Sequence, residues 1–238
     1  MVSKRKQSLT KHYHDAIEVA AEMSRKAAEP FDDVFHPKDT TPRLLKTFAG
    51  LYLDLNNPHL DYVELDIAHA LSLICRFGGH CDRFYSVAQH SILVSHLCPE
   101  RFKLWGLLHD ASEAYLGDMP RPLKAMLPDY RNLESKIQKL VWEEYDLIGP
   151  LPEEVKKADE IALSYEYRLL MGVERESKPE EWPQNPEVVL PFTDEIYWIT
   201  NPMTPEEAET DFLSVFYDLV YFKDERNDPC SVSISQGC

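Results

Sequence analysis

An all-α fold is the expectation from three features of this 238-residue chain. Apolar residues recur at helical period through most of its length, glycine is scarce (eight against seventeen prolines), and only one short segment alternates. Residues 8–29 read as a first helix, with Ile17, Ala20, Ala21 and Ala27 on a weakly apolar face and Pro30 as its end. The text TFAGLYLDL, near residues 46–56, alternates well enough for a small hairpin or extended segment. From Glu64 the spacing of Ile67, Ala70, Leu71 and Ile74 predicts a helix that Gly78-Gly79 closes.

Ser86-Val87-Ala88-Gln89 has the form of a capping box, so a helix should start there and run to about Leu97. Pro99 separates it from a helix over 101–116, in which Phe102, Trp105, Leu108 and Ala111 face a core. The run Gly117 to Pro122 cannot continue that helix and should fold back as a loop. Helices over 131–147 and 153–172 follow, parted by Gly149-Pro150-Leu151-Pro152. Residues 174–203 are acidic and proline-rich and read as an arm. Thr204-Pro205-Glu206-Glu207 then combines an N-cap, a proline at the first helical position and a capping glutamate. Ala208, Phe212, Val215, Phe216 and Leu219 make the last helix amphipathic. The expected organisation is an N-terminal extension (1–43, partly helical), one domain (44–223) and a disordered tail (224–238).

Composition narrows the partners. No run approaches 18 apolar residues, so no membrane span is expected, and the basic start has no apolar core behind it as a secretory signal would. Five cysteines, odd in number and without CxxC spacing, read as free thiols of a cytoplasmic protein. A net charge of −16 argues against a nucleic-acid polymer as partner but allows a small phosphorylated molecule bound by a metal and a few local cations.

The chemistry is concentrated in His90, the adjacent pair His109-Asp110, and Asp159. Imidazole nitrogen and carboxylate oxygen suit a divalent ion such as Mn, Co, Zn, Mg or Fe, and four ligands leave positions open for water and a phosphate oxygen. In a continuous helix Glu113 lies three and four residues beyond the pair and shares its face. The loop after it should bring Asp118 and Arg121 close. His69 and Arg76, seven apart, should share one helix face, with His69 in a structural role.

The text DIAHALSLICRFGGH, FYSVAQHS and HDASEAYLGDMPRPLK resembles the HD-domain phosphohydrolase superfamily over about residues 46–172. Within it, the chain is similar to the branch containing bacterial 5′-deoxynucleotidases and phage dATP triphosphohydrolases. The resemblance implies an HD-domain helical bundle that hydrolyses the 5′-phosphoester of a deoxynucleotide, with the quartet as metal ligands. It implies Glu113 as general acid/base or water-positioning group and Asp118 as a nucleotide contact that assists proton transfer. Arg76 matches an arginine that holds phosphate, although its neighbour here is Phe77 where the deoxynucleotidases have tryptophan.

Arg121 and Lys124 would add phosphate contacts. Three cations exceed what one phosphate needs, so the expectation leans to a deoxynucleoside triphosphate, with a monophosphate as the alternative. A homo-oligomer is also implied. A non-catalytic metal or nucleotide sensor is the rival from another class; the presence of Glu113 and Asp118 argues against it. Hydrolysis of a (p)ppGpp-like signal is weaker still, because such enzymes carry an acidic pair soon after HD and this chain reads HDASEA.

Overall fold

The computed structural model describes residues 43–60, 63–171 and 201–221. The predicted helix 8–29, nearly all of the arm and the tail lie outside them.

The described chain is helical apart from one hairpin. Strands β1 (Leu44–Lys46) and β2 (Tyr52–Asp54) pair antiparallel, with Leu45 opposite Leu53. The helices are α1 (Glu64–Leu73), α2 (Val87–Leu97), α3 (Lys103–Leu107), α4 (Glu113–Leu116), α5 (Arg121–Ala125), α6 (Pro128–Glu144), α7 (Glu153–Leu170) and α8 (Pro205–Tyr221). The expected all-α class holds, with the small hairpin where alternation placed it.

Helix α2 is the hub, and α3, α7, α8 and α1 all pack on it. Every residue from Val87 to Ser95 is buried, so its polar side chains must find partners inside the protein. The capping box is half realised: Ser86 Oγ accepts from the Gln89 amide at 3.1 Å. The Gln89 side chain instead reaches the C-terminal segment, donating to the Asn201 carbonyl and accepting from Met203 N. Ser95 donates to the Lys103 carbonyl at 2.9 Å. At the start of α8 the expected box is complete, Thr204 N donating to Glu207 Oε2 and Glu207 N to Thr204 Oγ1. Phe212 and Phe216 of α8 then fill the same core as Ile92, Leu93 and Leu107.

Three boundaries depart from the expectation. Helix α1 ends at Leu73, not at Gly78, because Ile74 is extended and Cys75 pairs with Ser86 as an antiparallel bridge. Arg76 therefore sits on a turn, and it shares no helix face with His69. The segment 101–116 is broken: a tight turn over residues 108–112 parts α3 from α4. Helix α6 starts three residues early, with Pro128 inside its first turn, where a missing N–H costs nothing.

Close approach fixes Gly106. A Cβ there would stand 2.9 Å from Cys98 Sγ and 3.0 Å from Ser95 Cα, where α3 crosses α2. Gly106→Ala is expected to destabilise the protein by about 1–3 kcal/mol, since overpacking outweighs the gain in helix propensity. The measurement is a thermal melt, and an unchanged or higher melting temperature would show that the crossing has room.

Candidate active site

The broken turn at 108–112 is built by side chains of a neighbouring helix. Gln138 of α6 accepts from the Ser112 amide at 2.9 Å and donates to the Leu108 carbonyl at 2.7 Å. Trp142 Nε1 donates to the same carbonyl at 3.2 Å. These bonds replace helical ones, so the backbone can leave the α-helical path and present His109 and Asp110 together.

His90 from α2, His109 from the turn and Asp159 from α7 bring one ligand atom each to within 4.8 Å of one another. His90 Nε2 lies 3.2 Å from His109 Nε2 and 3.3 Å from Asp159 Oδ1. Asp110 Oδ2 lies 3.2 Å from His109 Nε2 and 3.6 Å from His90 Nε2. Ligands bound to one ion at about 2.0–2.2 Å stand roughly 3–4 Å apart, so His90, His109 and Asp159 suit a single centre, with Asp110 close against both imidazoles.

The other ring nitrogens are committed elsewhere. His90 Nδ1 is 2.7 Å from Glu166 Oε1, and His109 Nδ1 is 2.8 Å from the Gly106 carbonyl. Donation from each Nδ1–H leaves both Nε2 lone pairs facing the centre. The imidazoles are buried whereas Asp110 and Asp159 are 28% and 26% exposed, so the site opens to solvent on its carboxylate side.

Glu166 was not anticipated. It is 1% exposed and bridges His90 to Arg76, whose Nε donates to Oε2 at 2.9 Å. The signal was its position seven residues after Asp159, two turns on along the same face of α7. Arg76 Nη1 stands 4.0 Å from Asp110 Oδ2, which places the guanidinium beside the donor cluster. The turn carrying it is left-handed at Phe77 (φ 57°) and Gly78 (φ 59°), a conformation costly for phenylalanine. The Phe77 ring lies under the guanidinium at 5.4 Å.

Charge in the site is strongly anionic. Burial opposes ionisation of Asp110, yet His109, His90 and Arg76 hold its carboxyl far below the usual range. Asp159 is lowered in the same sense by His90 and His109, and Glu166 by Arg76 and His90. Burial and Arg76 disfavour a proton on His90, but Glu166 and Asp159 more than offset them and raise it to about 9. Asp110 likewise raises His109 against burial. A field that holds protons on two buried imidazoles also favours a dication, which would displace those protons on binding.

Glu113 opens α4 and is buried, with Oε2 lacking any hydrogen-bond partner among the described residues. Burial, then Asp110 and Asp118, push its carboxyl well above the ordinary range. Asp118 is raised too, by burial and then Asp110, with Arg76 opposing. Lys124 reaches Glu113 Oε1 at 3.7 Å, but its closer partner is Glu134 at 2.6 Å. Arg121 is exposed at the start of α5, and no ion pair joins it to the cluster. His69, half-buried, stacks on Phe48 with ring centroids 3.6 Å apart and pairs with Glu209 at 3.1 Å, tying the hairpin and α1 to α8. A cavity of about 270 Å³ lies beside that stack, with Leu45, Asp66, Leu73, Tyr115 and the edge of Glu113 among its walls.

No helix among the described residues is long and apolar enough to cross a membrane. No family model matches the chain. It is 36% identical over 94 residues to a 5′-deoxynucleotidase of Erwinia tasmaniensis, spanning 39% of this chain and 38% of that enzyme. A 5′-deoxynucleotidase of Vibrio parahaemolyticus is 34% identical over 93 residues, a similar share of each protein. An uncharacterized Rhodobacter capsulatus protein is 37% identical over 135 residues, 52% of this chain and 69% of that one. Similarity to the uncharacterized protein YfdR of Escherichia coli (strain K12) is far more extensive, at 44% identity over 177 residues, 74% of this chain and 94% of YfdR. At that identity, over nearly the whole of the relative, this chain belongs to the YfdR family.

Proposed function

We propose that this protein is a metal-dependent HD-type phosphohydrolase that cleaves the 5′-phosphoester of a deoxynucleoside monophosphate, releasing deoxynucleoside and phosphate. The observation that carries the reading is the convergence of two imidazoles and the Asp159 carboxylate, with Asp110 against both rings, beside a braced guanidinium and an unpartnered, buried glutamate. The partial similarity to 5′-deoxynucleotidases supports the substrate class. The catalytic unit is residues 44–223.

A divalent ion held by His90, His109, Asp110 and Asp159 would supply Lewis acidity at the reacting phosphate. Arg76, fixed through Nε by Glu166, keeps its terminal nitrogens for two phosphate oxygens and stabilises the charge that develops there. Phe77 supports that guanidinium from below. Glu113 takes the proton of the attacking water, and its unpartnered Oε2 is free to accept that hydrogen bond. Asp118 contacts the nucleotide and assists that transfer, the proton taken by Glu113 passing on to the departing 5′-oxygen.

The monophosphate alternative has better support than the lean to a triphosphate. That lean counted Arg76, Arg121 and Lys124 together, but Lys124 is engaged by Glu134 and Glu113, and Arg121 is exposed with no ion pair to the cluster. One guanidinium and one metal suit a single phosphate.

Incubation with each dNMP, NMP and dNTP, in Mn²⁺, Co²⁺, Mg²⁺ or Zn²⁺, tests this directly. Deoxynucleoside plus phosphate from a dNMP is expected. Deoxynucleoside plus triphosphate would establish the triphosphatase instead, and no turnover with a filled metal site would favour a sensor. The pH profile adds a second check. A base with raised proton affinity must lose its proton to act, so kcat/KM should fall as pH drops through a value above the ordinary glutamate pKa of about 4.3. An acid limb at or below that value removes Glu113 as the base.

A further inference from the structure

Cys75 and Cys81 lie at either end of the turn that carries Arg76, with their sulfurs 3.6 Å apart. Both are partly exposed. We propose that this pair is an oxidative modification site, converted to an intramolecular disulfide by a low-molecular-weight disulfide, and that the bond weakens the hold of the Arg76 turn on phosphate. The second half rests on the phosphohydrolase reading; the first does not.

The geometry is already close to a bond. A disulfide needs its sulfurs at about 2.05 Å, a closure of roughly 1.5 Å that two side-chain rotations and a small backbone shift can supply. The turn between them is compact, since Phe77, Gly78 and Gly79 are all left-handed and Cys81 Sγ points back to the Arg76 carbonyl at 3.8 Å. The exchange is balanced. One cysteine thiolate attacks the small disulfide and releases one small thiol, leaving a mixed disulfide. The second cysteine, as thiolate, then attacks the protein sulfur and releases the other small thiol. Two protein thiols lose two protons and two electrons, and the small disulfide is reduced to two thiols. Burial and the neighbouring sulfur raise Cys81, so the exchange should quicken as pH rises.

The consequence for Arg76 follows from what the turn is tied to. Arg76 N donates to the Tyr85 carbonyl, and Cys75 pairs with Ser86, the cap of the helix bearing His90. Asp82 N donates to the Leu170 carbonyl at the end of α7, the helix of Asp159 and Glu166. Drawing Cys81 toward Cys75 therefore strains a turn anchored on both sides, and the guanidinium between them moves.

The full-length protein, reduced or treated with glutathione disulfide, would be alkylated and digested with trypsin. Cleavage after Arg76 separates the two cysteines, so a disulfide-linked pair of peptides containing Cys75 and Cys81 is the expected product. Both cysteines still alkylated, or found only as mixed adducts or joined to other cysteines, would overturn the site. Calorimetric titration of the Mn²⁺-loaded protein with inorganic phosphate then compares the two forms. Affinity should fall about 3- to 100-fold on oxidation, the range a misplaced binding group produces, and return on reduction. Neither Cys75→Ser nor Cys81→Ser should respond, and either suffices if the other folds poorly. Equal affinity in the two forms, with the disulfide present, overturns the coupling. Absence of phosphate binding to the reduced protein refutes the phosphohydrolase reading, while the peptide map still decides the disulfide.

Discussion

Glu113→Gln is expected to lower kcat by about 10²–10⁴-fold, the contribution of a positioned general base, with metal content unchanged and melting temperature equal or higher. The three outcomes have separate causes. Glutamine fills the same volume but cannot take a proton from water. A bound ion would keep its proposed ligands, because His90, His109, Asp110 and Asp159 are untouched. Stability rises if it changes at all, since the glutamate carboxyl is buried among Asp110 and Asp118 with one oxygen unpartnered. A neutral amide relieves that repulsion, and Lys124 retains its shorter contact to Glu134 at 2.6 Å. Stability sacrificed for chemistry is the usual mark of an active-site group. Purified variant would be assayed for turnover, metal by elemental analysis, and melting by calorimetry. Full activity would remove Glu113 from the mechanism, and loss of metal together with a much lower melting temperature would make it a structural residue.

Local signals in the chain carried the architecture, and long-range contacts decided the rest. The caps at Ser86 and Thr204 are written in adjacent residues, and both are found where the text puts them. The quartet stood out through the text around it, GLLHDASEAYLGDMP and SVAQHS, and not through the His-Asp pair alone. Two boundaries were not legible. Nothing near Leu73 ends a helix; what ends it is pairing of Cys75 with Ser86, eleven residues away. Nothing in GLLHDASEA breaks one either, and the break depends on Gln138 and Trp142 from α6.

The helix-face argument for Glu113 thus assumed a helix that is interrupted, although Glu113 N still donates to the Asp110 carbonyl at 3.0 Å and stays beside the pair. Glu166 was hidden for a different reason. Helix α7 carries several acidic residues, and only burial distinguishes the one that bridges His90 and Arg76. The charge of Lys124 was visible, but not Glu134, which occupies it from ten residues further on.

Glu166 is where fold and site depend on one carboxylate, and its removal should harm both. Glu166→Ala would leave Arg76 and His90 buried without their common partner. Breaking a buried ion pair on one side costs about 3–5 kcal/mol, because the remaining charge stays desolvated. Metal affinity should fall about 10–100-fold, the usual loss when the group orienting a histidine ligand is removed. Glu166→Gln separates the two effects. Its amide oxygen can still accept one hydrogen bond, so folding should survive better, while charge support for His90 and Arg76 is lost.

The pH dependence of stability gives an independent reading. Glu166 is depressed in the folded protein, so it binds fewer protons folded than unfolded. Its contribution is present above the ordinary glutamate value of about 4.3 and disappears as pH falls through the lower folded value. In Glu166→Gln that acid-dependent component should be absent, so the difference in stability between wild type and variant shrinks on acidification. Urea melts of both proteins across the acid range, with Mn²⁺ titrations at neutral pH, measure the two quantities. A constant difference across the range, with metal affinity intact, would mean that Glu166 neither supports His90 nor holds Arg76 by charge.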